Sequence, residues 1–274
     1  MMNNISKDDL KKLRRASRKK KVFPWGNYDR YYGYRIPNTT DNTVVDLNVW
    51  DDKRIHLLKE SYFQNKSILD IGCNAGYVTT VLSDIYHPHY ILGIDIDDSL
   101  IKKARWLVAQ KYKRESALKD DDLPSSCYSL HFRPYLPLSL DMSKYPHNLF
   151  FKTENIISDH HYGKNYDTIL CLSTIKWIHL NYGDSGVIQL FDKIYSLLVK
   201  GGIFIFEPQP WSSYKKKRTI NEHVYKVYHE IQIHPQDFES ILIKKGFKLI
   251  DTISPSCKKE NGFTKRTLFI YQKE

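Results

Sequence analysis

The segment Ser67–Gly76, reading S-I-L-D-I-G-C-N-A-G, constrains this chain more than any other. Its apolar run Ile68-Leu69-Asp70-Ile71 has the composition of a strand, and it breaks into a turn with glycines at 72 and 76 before a helical pattern begins. A strand, a glycine turn and a helix in that order form the opening unit of a doubly wound α/β fold. Gly72 gives backbone freedom where a side chain would obstruct a ligand, and Gly76 lets the next helix pack close to the strand. Roughly twenty residues further on, a second apolar run, Tyr90-Ile-Leu-Gly-Ile, ends in Asp95. A carboxylate at that strand end can accept hydrogen bonds from both ribose hydroxyls of a nucleoside.

Details of the turn narrow the nucleoside. A dinucleotide site uses G-x-G-x-x-G so that helix amides approach a pyrophosphate. Here the spacing is Gly72-Cys-Asn-Ala-Gly76, without the close glycine pair, and acidic Asp70 stands just before it. A carboxylate there repels pyrophosphate but suits a cation, such as the sulfonium and amino group of S-adenosylmethionine. The plain alternative is an ordinary strand-to-helix turn with a solvated aspartate. Asp70, Asp95 and the later Leu198-Val-Lys-Gly-Gly-Ile-Phe-Ile segment, taken together, weigh against it.

At 274 residues the chain suits one α/β domain with extensions. No apolar run approaches membrane-spanning length, and the N-terminus lacks a signal-peptide core, so a soluble intracellular protein is expected. Cys73, Cys127, Cys171 and Cys257 are dispersed without a C-x-x-C pair, which argues against zinc or a disulfide framework; no metal site is expected. Of the net charge of +11, the first 21 residues hold nine Lys/Arg and two Asp. The run Lys11–Lys21 reads as a solvated tail, a nuclear-import signal or a nucleic-acid arm. A second cluster, Lys215–Arg218, lies beside Trp211 and Tyr214. Cations interleaved with aromatics suit single-stranded RNA, because phosphates need charge and bases need stacking faces. Trp211 and Tyr214 could equally pack beneath their loop.

The domain division expected is a basic, disordered tail over 1–22 and a catalytic domain over 23–274, with a variable insertion at 111–147. Phe23–Arg35 is aromatic-dense, and helical spacing marks Val49–Phe63. Helices are expected after Gly76, from Asp97-Asp98, from Asp184 to a stop at Gly201-Gly202, and from Pro235 to Gly246. Strands are expected at Leu149–Lys152, Tyr166–Leu172 and Ile203–Glu207, with a closing hairpin of Phe247–Ile253 and Arg266–Tyr271. This alternation predicts a mostly parallel sheet covered by helices on both faces, with an antiparallel strand at the end.

With these elements placed, the chain resembles the class I S-adenosylmethionine-dependent methyltransferases and, more narrowly, the Bin3 family. The matching motifs include Gly26-Asn-Tyr-Asp-Arg-Tyr-Tyr-Gly-Tyr-Arg35, Leu69–Asn74, Gly93–Asp97 and Cys171–Ser173. Lys176-Trp-Ile-His-Leu-Asn181, Gly183-Asp184 and Glu207-Pro-Gln-Pro-Trp-Ser-Ser-Tyr214 complete them. Thr174-Ile175 departs from the residues usual before the Lys-Trp pair, and an arginine that often follows the tyrosine motif is not apparent in Pro37–Thr43. The resemblance implies a seven-stranded Rossmann-like sheet and methylation of the terminal phosphate at an RNA 5′ end, usually the γ-phosphate of a small non-coding RNA. It implies that Tyr32, Gly72, Cys73, Asn74, Asp95, Ile96, Asn155, Ile156 and Leu172 contact the methyl donor, beside Asp70. It places Tyr31, Arg35 and Lys176 at the RNA 5′ phosphate. A La-related RNA-binding partner and a nuclear location, otherwise cytoplasmic, follow from the same resemblance; neither DNA nor a membrane is an expected partner.

A phosphate oxygen is already an anionic nucleophile, so this chemistry calls for orientation and charge rather than a general base. Arg35 could fork two phosphate oxygens, Lys176 could add a compact charge, and Tyr31 could donate a positioning hydrogen bond. Tyr32 could lid the cofactor. Each has a plainer reading: Tyr31 and Tyr32 as staples to the core, Lys176 as a surface lysine. His179 is expected to be structural, and Glu207 to position the Pro-Gln-Pro loop. Two further functions stay open, an RNA-protecting subunit of a ribonucleoprotein with little or no catalysis, and a 5′-monophosphate methyltransferase.

Overall fold

The structure is a computed structural model that describes residues 5–17, 22–28, 52–116, 145–254 and 266–274. Its helices and strands run α1 (Lys7–Ser17), α2 (Lys53–His56), β1 (Ser67–Ile71), α3 (Tyr77–Tyr86), β2 (Tyr90–Asp95), α4 (Asp98–Ser116) and β3 (Leu149–Thr153). They continue with β4 (Tyr166–Leu172), α5 (Ile175–Leu197), β5 (Leu198–Glu207), α6 (Trp211–Lys215), α7 (Glu222–Glu230), α8 (Phe238–Lys244), β6 (Phe247–Ile253) and β7 (Leu268–Lys273).

The seven strands form one sheet in the order β3-β2-β1-β4-β5-β7-β6. Pairings from β3 through β5 are parallel, and β7 runs antiparallel between β5 and β6. Both faces are covered, so β1 and β2 bury side chains in succession and read as continuous apolar runs. Period-two alternation sorts those side chains. Leu69, Ile94, Ile169, Phe204 and Phe206 pack on one face with Leu190, Phe191 and Phe238. Ile68, Ile91, Leu170 and Ile205 pack on the other with Leu82, Ile101, Ala104 and Val108. The chain order reverses between β1 and β4, and ligands of open α/β sheets settle beyond the carboxyl ends of the strands at such a point.

Several expected elements are corrected. The basic N-terminal segment, expected to be a disordered tail, forms α1 over Lys7–Ser17. Ser6 Oγ accepts from Asp9 N at 3.1 Å at its start, Leu13 is buried, and Asp9 pairs with Arg218. Within Val49–Phe63 the described residues give only α2 and a 3-10 turn at Glu60–Tyr62, with Asp52 capping α2 through Arg54 N. The expected insertion at 111–147 begins late, because α4 continues through Ser116. At its other end Asn148 is buried and bonded to Ser83 and to Pro88 O, while residues 117–144 lie outside the described residues. The helix expected from Asp184 is present as the second part of α5, which follows a break at Gly183 (φ 64°, ψ −163°); a first helical stretch, not expected, runs from Ile175 to that break. The Asp184 carboxylate accepts from the backbone of Gln232 and Ile233, which ties α5 to the end of α7 instead of capping. Gly201 and Gly202 do not stop that helix; it ends at Leu197, and both glycines sit inside β5.

Among the described residues no helix is long and apolar enough to cross a membrane.

Candidate active site

A cleft opens beyond the carboxyl ends of β1, β2 and β4. Its floor is Ile71, Gly72, Asn74, Asp95, Ile96 and Leu172, and one wall is Glu154, Asn155 and Ile156. Ser173, Thr174, Trp177 and Tyr182 also line it, together with Trp25, Gly26 and Asn27 of the N-terminal segment.

Asp95 is the best-organised acceptor in the cleft. Its Oδ2 accepts from Asn74 N at 2.9 Å and its Oδ1 from Asp97 N at 3.0 Å, so the backbone of two loops fixes the carboxylate plane. Each oxygen keeps acceptor capacity for a further donor. Burial pushes its pKa up to about 6, against the backbone N–H groups of Asp97 and Asn74, which favour the charged form.

Asp70 is placed differently from its expected role. It is 2% exposed, it does not line the cleft, and its Oδ2 accepts from Thr79 Oγ1 of α3 at 2.7 Å. Burial raises it to about 6 as well. Cys73 also turns away: its thiol lies in the core with Val78, Ala104 and Phe151, and burial raises it well above an ordinary thiol. What Cys73 contributes is its backbone, whose N–H donates to Ile94 O at 3.0 Å and holds the turn.

The glycines have specific causes. Gly72 has φ +76°, and a Cβ there would lie 2.2 Å from Thr174 Oγ1, so its small size is required by Thr174 and not by open ligand space. Gly76 starts α3 at φ +73°, where a Cβ would strike Phe151 and Ala104 at 2.6–2.8 Å, the close packing expected of it.

Asn155, Ile156, Ile96 and Leu172 all reach the cleft. Asn155 is held from three sides: its N–H donates to Asp159, its Oδ1 accepts from Ile157 N, and its Nδ2 donates to Tyr182 at 2.6 Å. Beside it, Glu154 is nearly buried and binds Lys152 and His161, each at 2.6 Å. Burial works to raise Glu154, but His161 and Lys152 prevail and hold it below the ordinary carboxylate value.

Lys176 stands behind the Trp177 wall. It is buried, its Nζ donates to Ser213 Oγ at 3.0 Å and lies 4.5 Å from the Trp177 ring, and its N–H is directed at Gln209 Oε1 at 3.3 Å. Gln209 in turn donates to Ser173 O. Glu207, fully buried at the end of β5, binds Arg54 and accepts from Ser173 Oγ at 2.8 Å and from Arg266 at 3.2 Å. The network locks the Pro-Gln-Pro loop to the start of α5, the positioning role expected of Glu207. His179 is fully buried and bonded to Asp184 at 2.9 Å, with burial lowering its pKa, so its role is structural. Tyr214 is wholly buried, whereas Trp211 is half-buried and stacks on Tyr228 and His234. Tyr214 therefore packs beneath the loop and presents no stacking face.

The expected phosphate residues Tyr31 and Arg35, and the expected lid Tyr32, lie outside the described residues. The segment before them is placed. Asn181 Nδ2 donates to Pro24 O at 2.9 Å, Trp25 packs on Tyr182, Tyr28 meets the Trp177 edge, and Asn27 Nδ2 donates to Asp97 at 2.5 Å. Trp25, Asn27, Glu154, Ser173, Thr174 and Tyr182 are cleft residues not singled out from the sequence. Their signal lay in their neighbours: Asn27 opens the tyrosine motif, and Ser173 follows Leu172.

Comparison with known proteins places this cleft in context. The family model described as Bicoid-interacting protein 3 (Bin3) matches residues 166–273. A probable RNA methyltransferase of Arabidopsis thaliana is 38% identical over 270 residues, covering 92% of this chain and 81% of that one. The human 7SK snRNA methylphosphate capping enzyme is 33% identical over 93% of this chain, which spans only 40% of the human protein's length. Among solved structures, the N-methyltransferase NodS of Bradyrhizobium japonicum, in complex with S-adenosyl-L-homocysteine, aligns with a TM-score of 0.51 at 14% identity. That alignment covers 97% of this chain and 98% of NodS, and it shows the shared class I methyltransferase fold. Identity of 38% sustained across most of both chains, on this sheet and around this cleft, makes the protein a member of the Bin3 family.

Proposed function

We propose that this chain is an S-adenosylmethionine-dependent methyltransferase acting on the 5′-terminal phosphate of a small RNA. The observation that carries the reading is Asp95, a carboxylate with both oxygens oriented by backbone donors at the end of β2, facing the cleft. The residues present suit an adenosine group. Asp95 takes the two ribose hydroxyls, Ile96 and Ile156 offer apolar faces for a purine, and Asn155 supplies an amide already fixed by Tyr182. Asp70 lies beneath the turn and adds negative potential near a cationic ligand without touching it.

The cofactor supplies a methyl group made electrophilic by a sulfonium. The protein's own work is to hold and orient. The acceptor phosphate oxygen is already anionic and the spent cofactor would leave as a neutral thioether, so this chain's residues have no proton to move. Lys176, anchored by Ser213 and Gln209, supplies positive charge behind the Trp177 wall. Arg35 and Tyr31 complete the phosphate contacts in this reading, and Tyr32 covers the cofactor, in a stretch whose preceding residues line the cleft. Trp25, Gly26 and Asn27 shield the reacting groups from water. The name of the human relative, a methylphosphate capping enzyme, supports a terminal phosphate as acceptor.

Nuclear residence and a La-related partner belong to the same reading, supported by the basic N-terminal run and the family; exclusion of a fluorescent fusion from nuclei would remove the first. The test of function is incubation with labelled S-adenosylmethionine and matched RNAs ending in triphosphate, monophosphate or hydroxyl. Transfer to the triphosphate RNA, lost in Arg35→Ala and Lys176→Ala, is expected. Preference for monophosphate would change the acceptor, and tight RNA binding with no transfer would make the protein an RNA-protecting subunit.

A further inference from the structure

The loop Asn155–Asp159, between β3 and β4, brings two residues to the cleft but belongs to no strand or helix. Its own bonds close it into a turn. Asn155 N donates to Asp159 Oδ2 at 2.9 Å, Asp159 N donates to Asn155 O at 2.9 Å, and Ile157 N donates to Asn155 Oδ1 at 3.1 Å. These bonds tie the loop to itself and do not fix where it stands against the rest of the fold.

The helix α5 does that. Lys193 Nζ donates to Ile156 O at 2.7 Å, to Ile157 O at 3.0 Å and to Asp159 O at 3.0 Å. An ammonium has three N–H donors, so this side chain is fully committed to three carbonyls of one loop. The adjoining Asp192 does not compete for it and pairs with Lys245 instead. Gln189 stands four residues earlier, on the same face of the helix, and its Nε2 donates to Ile157 O at 3.1 Å. Tyr182 Oη accepts from Asn155 Nδ2 at 2.6 Å and completes the grip. Ile156 and Ile157 are each 5% exposed and belong to the same core cluster as Phe191 and Ile194 of α5.

We infer that Lys193, assisted by Gln189, is the positioning residue of the purine wall: it sets where Asn155 and Ile156 stand in the cleft, and so how well the site tells adenine from another purine. The inference rests on the cofactor proposed above. Lys193 does not itself line the cleft, so it acts through the loop. Bonds from an ammonium to carbonyls are stronger than neutral ones, and removing the donors leaves three carbonyls unpaired beside a half-buried stem. The loop must then turn them toward water, and its two cleft residues move with it. Lys176 is held by a separate set of bonds, from Ser213 and Gln209, so the effect falls on the cofactor and not on the phosphate.

The decisive test needs no RNA. Calorimetry compares S-adenosyl-L-homocysteine with S-inosyl-L-homocysteine, in which an oxygen acceptor replaces the 6-amino donor of adenine. Lys193→Met keeps a long stem without donors. Its affinity for S-adenosyl-L-homocysteine should fall about tenfold, as for the loss of one charge-assisted bond. Its preference for that ligand over the inosyl analogue should fall about fivefold or more, because the polar groups that read the 6-position are displaced. Gln189→Leu should lose about two- to threefold on both measures, since Lys193 still holds Ile157 O. Should Lys193→Met not fold, Gln189→Leu carries the same prediction at that smaller size. In turnover on triphosphate RNA, Lys193→Met should raise the KM for S-adenosylmethionine and leave kcat at saturating cofactor within about twofold.

Equal losses for both ligands, with the preference unchanged, would overturn the inference by making Lys193 a general support of the fold. Wild-type affinity and preference in Lys193→Met would overturn it as well. If the wild-type protein binds S-adenosyl-L-homocysteine but methylates no RNA, the proposed acceptor fails, and the preference measured in the variants still decides the role of Lys193. If the wild-type protein binds no S-adenosyl-L-homocysteine, the cofactor reading falls and the inference falls with it.

Discussion

Gly26→Ala isolates the N-terminal segment that lines the cleft. Gly26 has φ +71°, a conformation that costs an alanine about 1–2 kcal/mol. Its new Cβ would also lie 2.0 Å from Trp177 Nε1 and 2.1 Å from Cε2, more than an ångström inside contact distance. Trp177 is only 6% exposed and packed against Leu180 and Tyr214, so the ring has no room to retreat. Forced overpacking typically adds about 1–3 kcal/mol. Against a total of roughly 2–5 kcal/mol stand one hydrogen bond from Asn181 to Pro24, two aromatic contacts and the Asn27–Asp97 bond. These attachments are each worth about 0.5–1.5 kcal/mol, together about 2–6 kcal/mol, so the substitution offsets most of what docks residues 22–28. The strands and the two principal core clusters contain none of these residues and should stay folded. Calorimetry with S-adenosyl-L-homocysteine should show affinity at least tenfold weaker, with a thermal midpoint within a few degrees of wild type. Gly201→Ala is the control. Its φ is +77° but nothing lies within 4 Å of its Cβ, so it carries the conformational cost without the clash and should leave affinity unchanged. Wild-type cofactor affinity in Gly26→Ala would refute the reasoning, because the segment would then form no part of the binding wall.

Three further predictions follow from the site. Asp95 must be ionised to accept two hydroxyls, and its pKa is raised to about 6, so cofactor affinity should fall about tenfold between pH 7.5 and pH 5; Asp95→Asn should bind weakly and without that pH dependence. Asp70 has a folded pKa of about 6 against an ordinary value of 3.8, so its ionisation opposes folding increasingly as pH rises through that window. Asp70→Asn, still able to accept from Thr79, should raise stability at pH 8 by up to about 3 kcal/mol, lose that advantage by pH 4, and cost less cofactor affinity than Asp95→Asn; a gain independent of pH would contradict the assignment. Glu207→Gln removes a charge shared by buried Arg54 and Arg266, and chemical denaturation should show a loss of about 3 kcal/mol, whereas a neutral result would mean that Asp52 alone satisfies Arg54.

Much of the scaffold was legible because it rests on local signals. The buried runs ending at Ile71, Asp95 and Leu172 are apolar and bounded by turn residues, and each became a strand that delivers a cleft residue. Side-chain direction was less legible. Asp70 and Cys73 flank the glycine turn in sequence, yet the strand pleat and the start of α3 turn both side chains away from the cleft. Long-range pairing was invisible. Arg54 and Glu207 are separated by 153 positions and Asp9 and Arg218 by 209, and no local pattern joins them. The helical character of α1 did leave a trace, Ser6 three residues before Asp9 and then Leu10 and Leu13, but the density of charge around it reads as a solvated tail.

The central claim is that methyl is transferred to a terminal phosphate oxygen. The most direct measurement is mass spectrometry of the 5′-terminal nucleotide released by nuclease from a triphosphate RNA incubated with the protein and S-adenosylmethionine. The account predicts one added methyl on the terminal nucleotide, removed together with the phosphate it sits on and absent when Asp95→Asn replaces the wild type. A methyl found on a base or ribose, or no methyl on an RNA that the protein binds tightly, would contradict it.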